Sequence, residues 1–157
     1  ARAAGRGAGR GRGGGGPGGR AAAARAGQCG FLAVDNAHPD LGISHTIRLG
    51  LESLRGCDGA MFLVSDQPLL RQESVRALAE LWQSRPENIA ALAHGGVRGN
   101  PCVFPARFFP ELLALAEDHG GNTVIRRHEE DLILLEVPEQ ELTDVDTRAA
   151  LNEIENR

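Results

Sequence analysis

Asp66 is the residue whose surroundings speak most directly of chemistry. It follows the continuous apolar run Ala60-Met61-Phe62-Leu63-Val64 and precedes Gln67-Pro68. Pro68 fixes φ and stops a strand, so the carboxylate is expected at the edge of a sheet. A carboxylate so placed suits a hard cation such as Mg²⁺, which takes one or two protein carboxylates plus substrate phosphates. Asp144 and Asp146 stand two apart and, on a strand, would share one face. Two carboxylates on one face repel unless a cation or a proton intervenes. Helix capping is the plain alternative for each acidic residue alone. Taken together, Asp66 and the Asp144/Asp146 pair form two strand-end carboxylate sites able to clamp a metal between them.

Gly42-Ile43-Ser44-His45-Thr46 opens a helix, whose N–H groups and hydroxyls suit a phosphate or nucleotide; the plain alternative is a turn with an N-cap. Gly99-Asn100-Pro101 reads as a tight loop before a short strand. His94, His119 and His128 fall in loops or at helix ends without metal-ligand spacing. No GxSxG, HExxH, Walker A or strand-preceded GxGxxG motif occurs.

The elements that must position these residues alternate. The runs 30–34, 60–64, 89–93, 102–104 and 132–137 read as strands, 60–64 being a continuous apolar one of the type buried on both faces of a parallel sheet. Ser44 is placed to cap a helix over Ile47, Leu51 and Leu54. Residues 72–84 form an amphipathic pattern with Val75, Leu78, Ala79 and Trp82 on one face. Residues 108–116 and 122–127 read as short helices. A last short strand ends at 143–146, and Thr147 caps a closing helix. This alternation predicts an α/β fold with a mostly parallel sheet and right-handed crossovers. Ligands then bind at the carboxyl ends of the strands, where Asp35-Asn36, Asp66 and Asp144 to Asp146 lie.

The chain has 157 residues and a formal net charge of −4, which hides a split. Residues 1–26 carry six Arg and no acid, and residues 1–20 contain only Gly, Arg, Ala and Pro17. The remainder carries 11 Arg against 21 acidic residues, and Lys is absent throughout. A head without apolar periodicity predicts disorder. Arg/Gly segments can hold polyanions, but this one lacks interleaved aromatics, so nucleic acid is not the expected partner. Residues 27–157 suffice for one core. No apolar run approaches the ~18–20 residues that cross a bilayer, so no membrane partner is expected. Cys29, Cys57 and Cys102 are odd in number and widely spaced, predicting reduced thiols and a cytoplasmic location rather than zinc or disulfides.

Five blocks, in order, resemble nucleotidyltransferases that act on the molybdenum cofactor, the MobA-like NTP transferases. They are the segment from Val34 to Leu51, Asp66-Gln67-Pro68, the loop from Gly99 to Phe104, the stretch from Asp118 to Arg127, and Asp144-Val145-Asp146-Thr147 with the residues to Leu151. The branch most similar is molybdenum cofactor cytidylyltransferase, including relatives that serve molybdenum hydroxylases such as xanthine dehydrogenase. The resemblance implies a three-layer, Rossmann-like nucleotidyltransferase fold. It implies transfer of CMP, or another NMP, from CTP or another NTP to the phosphate of molybdopterin, with release of pyrophosphate. By the same resemblance Asp66 and Asp146 are the catalytic Mg²⁺ ligands, with Asp144 a further metal candidate. Asn36, Gly42 and Ser44 lie on the nucleotide, and Asn100 and Pro101 lie near the pterin-side substrate. A molybdenum hydroxylase or its maturation factor is the implied protein partner.

This sequence departs from the family pattern in several places. The family's opening strand and its loop L-A-A-G-x-S-x-R-M-G-x-x-K, which wraps the triphosphate, have no counterpart, so an N-terminally truncated domain is expected. Glu117 stands where the family has the Gly of G-D-x-G, and Arg148-Ala149-Ala150 replaces P-E-D. Two alternatives follow: an inactive truncated or frame-shifted remnant, with residues 1–26 mistranslated, or an Arg/Gly-tailed nucleic-acid-binding module. A sugar-nucleotide pyrophosphorylase shares the metal logic but lacks a matching sugar segment here.

Overall fold

The computed structural model describes residues 6–8, 28, 32–54 and 56–145. The chain forms two compact units, residues 1–57 with 107–127 and residues 58–106 with 128–157.

The first unit holds a two-stranded parallel sheet, β1 (Arg6–Ala8) on β2 (Leu32–Val34). Composition predicts no regular structure for residues 6–8. They form a strand here because the edge of β2 offers unpaired N–H and C=O groups, and pairing satisfies both partners. After β2 come a 3₁₀ turn, Pro39–Leu41, and helix α1 (Gly42–Glu52). Ile47 and Leu51 of α1 are buried, as the apolar spacing predicts; Leu54 lies past its end. Ser44 does not cap this helix. The helix starts two residues earlier, with Leu41 at the N-cap position, and Ser44 is buried in the first turn. Helices α3 (Phe109–Leu113) and α4 (Gly121–Arg127) complete the unit, α3 packing on both α1 and α4. Leu112, Val124 and Ile125 are their buried residues.

The second unit holds β3 (Gly59–Phe62), helix α2 (Gln72–Ser84), β4 (Ile89–His94), β5 (Val97–Pro105) and β6 (Leu132–Glu136). Its sheet runs β3-β5-β4-β6. The α/β alternation is as expected, but the sheet is mixed: β4 and β6 are parallel, and β5 is antiparallel to both neighbours. Gly95 and Gly96 explain the reversal. Both have positive φ, 57° and 77°, as a two-residue hairpin turn of type I′ requires. A strand returning through so short a turn must be antiparallel. The stretch 95–101, expected as a loop, is therefore a turn followed by the first half of a nine-residue strand.

That strand is interrupted where its polar residues lie. Ala93 faces Arg98 and Ala91 faces Cys102, so Gly99-Asn100-Pro101 stands opposite Leu92 alone. Pro101 has no N–H to give the ladder, and a bulge is where such a residue fits. The Asn100–Pro101 peptide is cis.

β4, read from the sequence as a strand over 89–93, is buried from Ile89 to Ala93. Its Ala90 and Leu92 join Leu78, Val103 and Val137 in one core, packed by Met61, Leu70, Trp82, Ile133, Leu135 and Leu142. Gly59 in β3 has a steric reason: an added Cβ would lie 2.5 Å from the Trp82 ring. β3 is less buried than its composition predicts, and Leu63 and Val64 lie beyond it and are exposed. Among the described residues β3 is an end strand of its sheet, paired on one side only.

The strand expected at 143–146 is not formed over its described part. Residues 139–142 make a 3₁₀ turn, and 143–145 continue without a ladder. Asp146, Thr147 and the closing helix lie outside the described residues, as do Cys29 and most of the 1–26 head.

Candidate functional site

Asp66 and Asp144, far apart in sequence, belong to one unit and are tied together. The Val145 N–H donates to the Asp66 carbonyl at 2.7 Å. Gln67 Nε2 donates to Asp144 Oδ1 at 3.0 Å and to the Leu142 carbonyl at 3.3 Å. The sequence argument for Asp144 and Asp146, two acids on one strand face, finds no strand over residues 143–145, and Asp146 lies outside the described residues. The pairing of Asp66 with Asp144 arises from a tether between the turn after β3 and the segment after the last 3₁₀ turn.

Asp66 is half-buried, and its Oδ1 is buried with no hydrogen-bond partner among the described residues. Gln67 is buried, and its Oε1 is likewise unpartnered. Leaving a buried acceptor unsatisfied costs about 1–3 kcal/mol, and more for a charged one. A carboxylate oxygen without a donor, beside a second tethered carboxylate, fits a hard cation. Asp144 and Asp66 are thus brought together; Asp146 lies outside the described residues.

The same unit carries Asn100 and Pro101 in the β5 bulge. Pro101 is fully buried and Asn100 half-buried. Cys102 donates through Sγ to the Gly99 carbonyl at 3.3 Å and reaches Asn100 Oδ1 at 3.7 Å. Burial pushes the Cys102 thiol up, and the Arg98 guanidinium beside it pulls the other way. Gly99 lies under Leu142, 3.0 Å from where a Cβ would stand, which packs the bulge against the segment leading to Asp144.

In the other unit Asn36 is buried and engages both ends of its amide. Nδ2 donates to Thr46 Oγ1 at 3.1 Å, and Oδ1 accepts the His38 N–H at 2.9 Å. Gly42 has φ +79°, and a Cβ there would meet Asp118 Oδ1 at 2.6 Å and the Glu117 carbonyl at 2.7 Å. Only glycine fits. At the start of α1, the Gly42 N–H binds the Pro39 carbonyl and the Ser44 N–H binds the Glu117 carbonyl at 3.2 Å. Gly42 and Ser44 do line a cleft of about 700 Å³, together with His45, Arg48, Leu115 and Asp118. Arg48 is fixed there by donating through Nη2 to the Leu115 carbonyl at 3.2 Å, and His45 Nδ1 is buried without a partner among the described residues.

His128 lies between α4 and the 3₁₀ turn Glu129–Asp131, with Glu130 and Asp131 offering donor atoms within 4.8 Å of it and of one another. His94 and His119 are exposed and bind the Val137 and Ala116 carbonyls through Nδ1. Gln67 and Glu141 were not legible as site residues. Glu141 is buried and accepts the Arg71 N–H at 3.2 Å at the start of α2. Exposed Pro68 follows Gln67 and exposed Gln140 precedes Glu141, so local sequence gives each the look of a surface turn. No helix among the described residues is long and apolar enough to cross a membrane.

Comparison with known proteins bears on the fold and the family. The chain is 28% identical over 110 residues to the purine catabolism protein PucB of Bacillus subtilis (strain 168), covering 68% of this chain and 52% of that protein. The chain thus spans about half the length of the curated relative it matches. Among solved structures it resembles Rv0371c from Mycobacterium tuberculosis H37Rv, with TM-score 0.68 and 20% identity over 86% of this chain and 71% of that one. A structure of Rv0371c in complex with manganese matches with TM-score 0.62 and 19% identity, covering 84% and 72%. A nucleotidyl transferase from Methanothermobacter, Mth528, matches with TM-score 0.69 and 16% identity, covering 87% and 67%. These likenesses establish the fold as that of nucleotidyltransferases. The model of the MobA-like NTP transferase domain matches residues 16–132, beginning inside the Gly/Arg/Ala head and spanning most of the chain. The chain belongs to the MobA-like NTP transferase family.

Proposed function

We propose that this chain carries out metal-dependent nucleotidyl transfer in molybdenum cofactor maturation, moving CMP from CTP to the phosphate of molybdopterin. The observation that carries the reading is the tethered pair Asp66 and Asp144, with Asp66 Oδ1 buried and unpartnered. Family membership supplies the reaction class. The name of the Bacillus relative concerns purine catabolism, which supports a molybdenum hydroxylase of the xanthine dehydrogenase kind as client.

In this reaction an oxygen of the molybdopterin phosphate attacks the α-phosphorus of CTP. The bond to the β-phosphate bridging oxygen breaks, and pyrophosphate leaves. Catalysis of such a step is mostly positioning and electrostatic stabilisation. Asp66 and Asp144, with Asp146 from the same segment, are the residues that would hold Mg²⁺. When bound, the ion offsets the negative charge that gathers on the phosphoryl oxygens. Gly42 and Ser44 face the nucleotide, with Arg48 held rigidly in the same cleft as a fixed positive charge. Asn36 contributes by fixing the approach to α1 through Thr46 and the His38 N–H. Asn100 and Pro101 border the pterin side, their backbone set by the β5 bulge.

Isothermal titration of CTP into the full chain with millimolar Mg²⁺ tests the reading. Saturable binding is expected, and Asp66→Asn should weaken it by at least ~100-fold, the scale of losing one preorganised electrostatic group. No binding to the wild-type chain, or equal binding by the variant, contradicts it.

A further inference from the structure

Gln67 makes an arrangement that helix capping or simple core filling does not require. Its amide nitrogen serves two acceptors, the Asp144 carboxylate and the Leu142 carbonyl. That fixes which end of the amide is which. Turned over, the carbonyl oxygen would face two acceptors and no donor. The side chain is 8% exposed, and the oxygen left over, Oε1, is buried with no partner among the described residues. The adjacent residue, Asp66, also has a buried, unpartnered oxygen. Two neighbouring acceptors therefore lack donors at the one place where a second carboxylate is tied in.

We infer that Gln67 is the positioning residue of the metal site: its N–H groups orient the Asp144 carboxylate toward the cation that Asp66 holds, and its carbonyl oxygen accepts a hydrogen bond from a cation-bound water. The inference rests on the proposed function above, in that Asp66 and Asp144 are taken as the cation's ligands. Mg²⁺ and Mn²⁺ keep several waters when a protein offers few carboxylates. Those waters are donors, the partner type that Oε1 lacks. Residues that orient a metal's ligands from behind typically change metal affinity by about 10–100-fold when replaced. An amide in this role also explains why Asp144, itself exposed on a segment without a ladder, has a defined carboxylate orientation.

Mn²⁺ binding to the full chain, read from the electron paramagnetic resonance signal of the free ion, tests this without any substrate. The wild-type chain should bind, and Asp66→Asn should not. Gln67→Met, of similar volume and without N–H groups, should weaken Mn²⁺ about 10–100-fold. Asp144→Asn should weaken it too, and Gln67→Met should cost less in the Asp144→Asn background than in the wild-type chain, because only the water contact of Oε1 is then left to lose. Wild-type affinity in Gln67→Met, or additive losses in the double variant, overturns the inference while leaving the Asp66 site standing. Absence of Mn²⁺ binding by the wild-type chain overturns the underlying reading as well. If circular dichroism shows that Gln67→Met does not fold, the wild-type chain still decides. The Gln67 side-chain amide resonances should shift on titration with Mg²⁺ in the wild-type chain, and only at higher Mg²⁺ in Asp144→Asn; resonances indifferent to Mg²⁺ in the wild-type chain refute the role.

Discussion

Glu117 holds φ +52°, a left-handed conformation that costs a residue with a Cβ about 1–2 kcal/mol. Its carbonyl accepts the Ser44 N–H and crowds the space where Gly42 has no side chain. The resemblance places Gly at this position, and the backbone shows why: the turn needs a positive φ. Because the Glu117 side chain is exposed, Glu117→Gly removes strain and loses little. Against it stands the ~0.5–1 kcal/mol by which glycine favours the unfolded chain. The variant should be more stable by about 0.5–1 kcal/mol, seen as a Tm raised by about 2 °C in thermal denaturation. An unchanged or lowered Tm argues against strain there. Cys102 gives a second prediction at this scale. Burial pushes its thiol above the usual cysteine range, with the Arg98 guanidinium pulling the other way. In the folded protein it should stay protonated and resist alkylation at pH 8, while half-buried Cys57 reacts first. The linkage follows in sign: a pKa raised on folding leaves stability intact below the unfolded thiol's pKa and erodes it as pH rises through the folded one. Denaturant midpoints should therefore fall above about pH 9 in the wild-type chain and fall less in Cys102→Ala. Asp66 was legible at this scale because a strand followed by Asp-Gln-Pro is a local pattern. Gln67 was not, because its partners are 75 and 77 residues away.

At the scale of elements, the β4–β5 hairpin shows how a distant side chain secures a local turn. The Gly95 and Gly96 N–H groups donate to the two oxygens of Glu136, at 2.8 and 2.9 Å. Glu136 is the last residue of β6, so one carboxylate holds the turn to the neighbouring strand on the far side of β4. Hydrogen bonds to a charged group contribute about 1.5–3 kcal/mol when sheltered, and these are exposed. Glu136→Ala should cost about 1 kcal/mol in urea unfolding. A change under a few tenths would mean that the two glycines hold the turn without it. Helix α2 was read from the sequence with its observed bounds because Val75, Leu78, Ala79 and Trp82 repeat at helical spacing over 13 residues. β5 was read short by six residues, Val97 to Pro101 before it and Pro105 after it. Val97 to Pro101 lacks the alternation of a strand, and the bulge at 99–101 shifts the register that such alternation would report. The strand expected before Asp146 failed for another reason. Residues 139–142 close into a 3₁₀ turn, and Glu141 is drawn inward by the Arg71 N–H. That contact is invisible to local pattern.

On the scale of the whole chain, charge and composition divide the sequence into a basic head and an acidic remainder. The structure qualifies that division at three residues. Arg6–Ala8 pairs with β2, and the family match also begins within the head, at residue 16. Fold class was legible because strand and helix periods alternate along the chain. Strand direction was not, since it hangs on a two-residue turn. The candidate site follows the same logic. Its carboxylates were read as acids after strands, but what joins them is one amide and one backbone hydrogen bond. We propose that Asp66, with Asp144 tethered to the same segment, supports nucleotidyl transfer from CTP to molybdopterin. Pyrophosphate release on mixing the full chain with CTP, molybdopterin and Mg²⁺ measures it most directly. Release should require all three additions and fall at least ~100-fold in Asp66→Asn. Release by that variant at the wild-type rate, or none from the wild-type chain, would contradict the account.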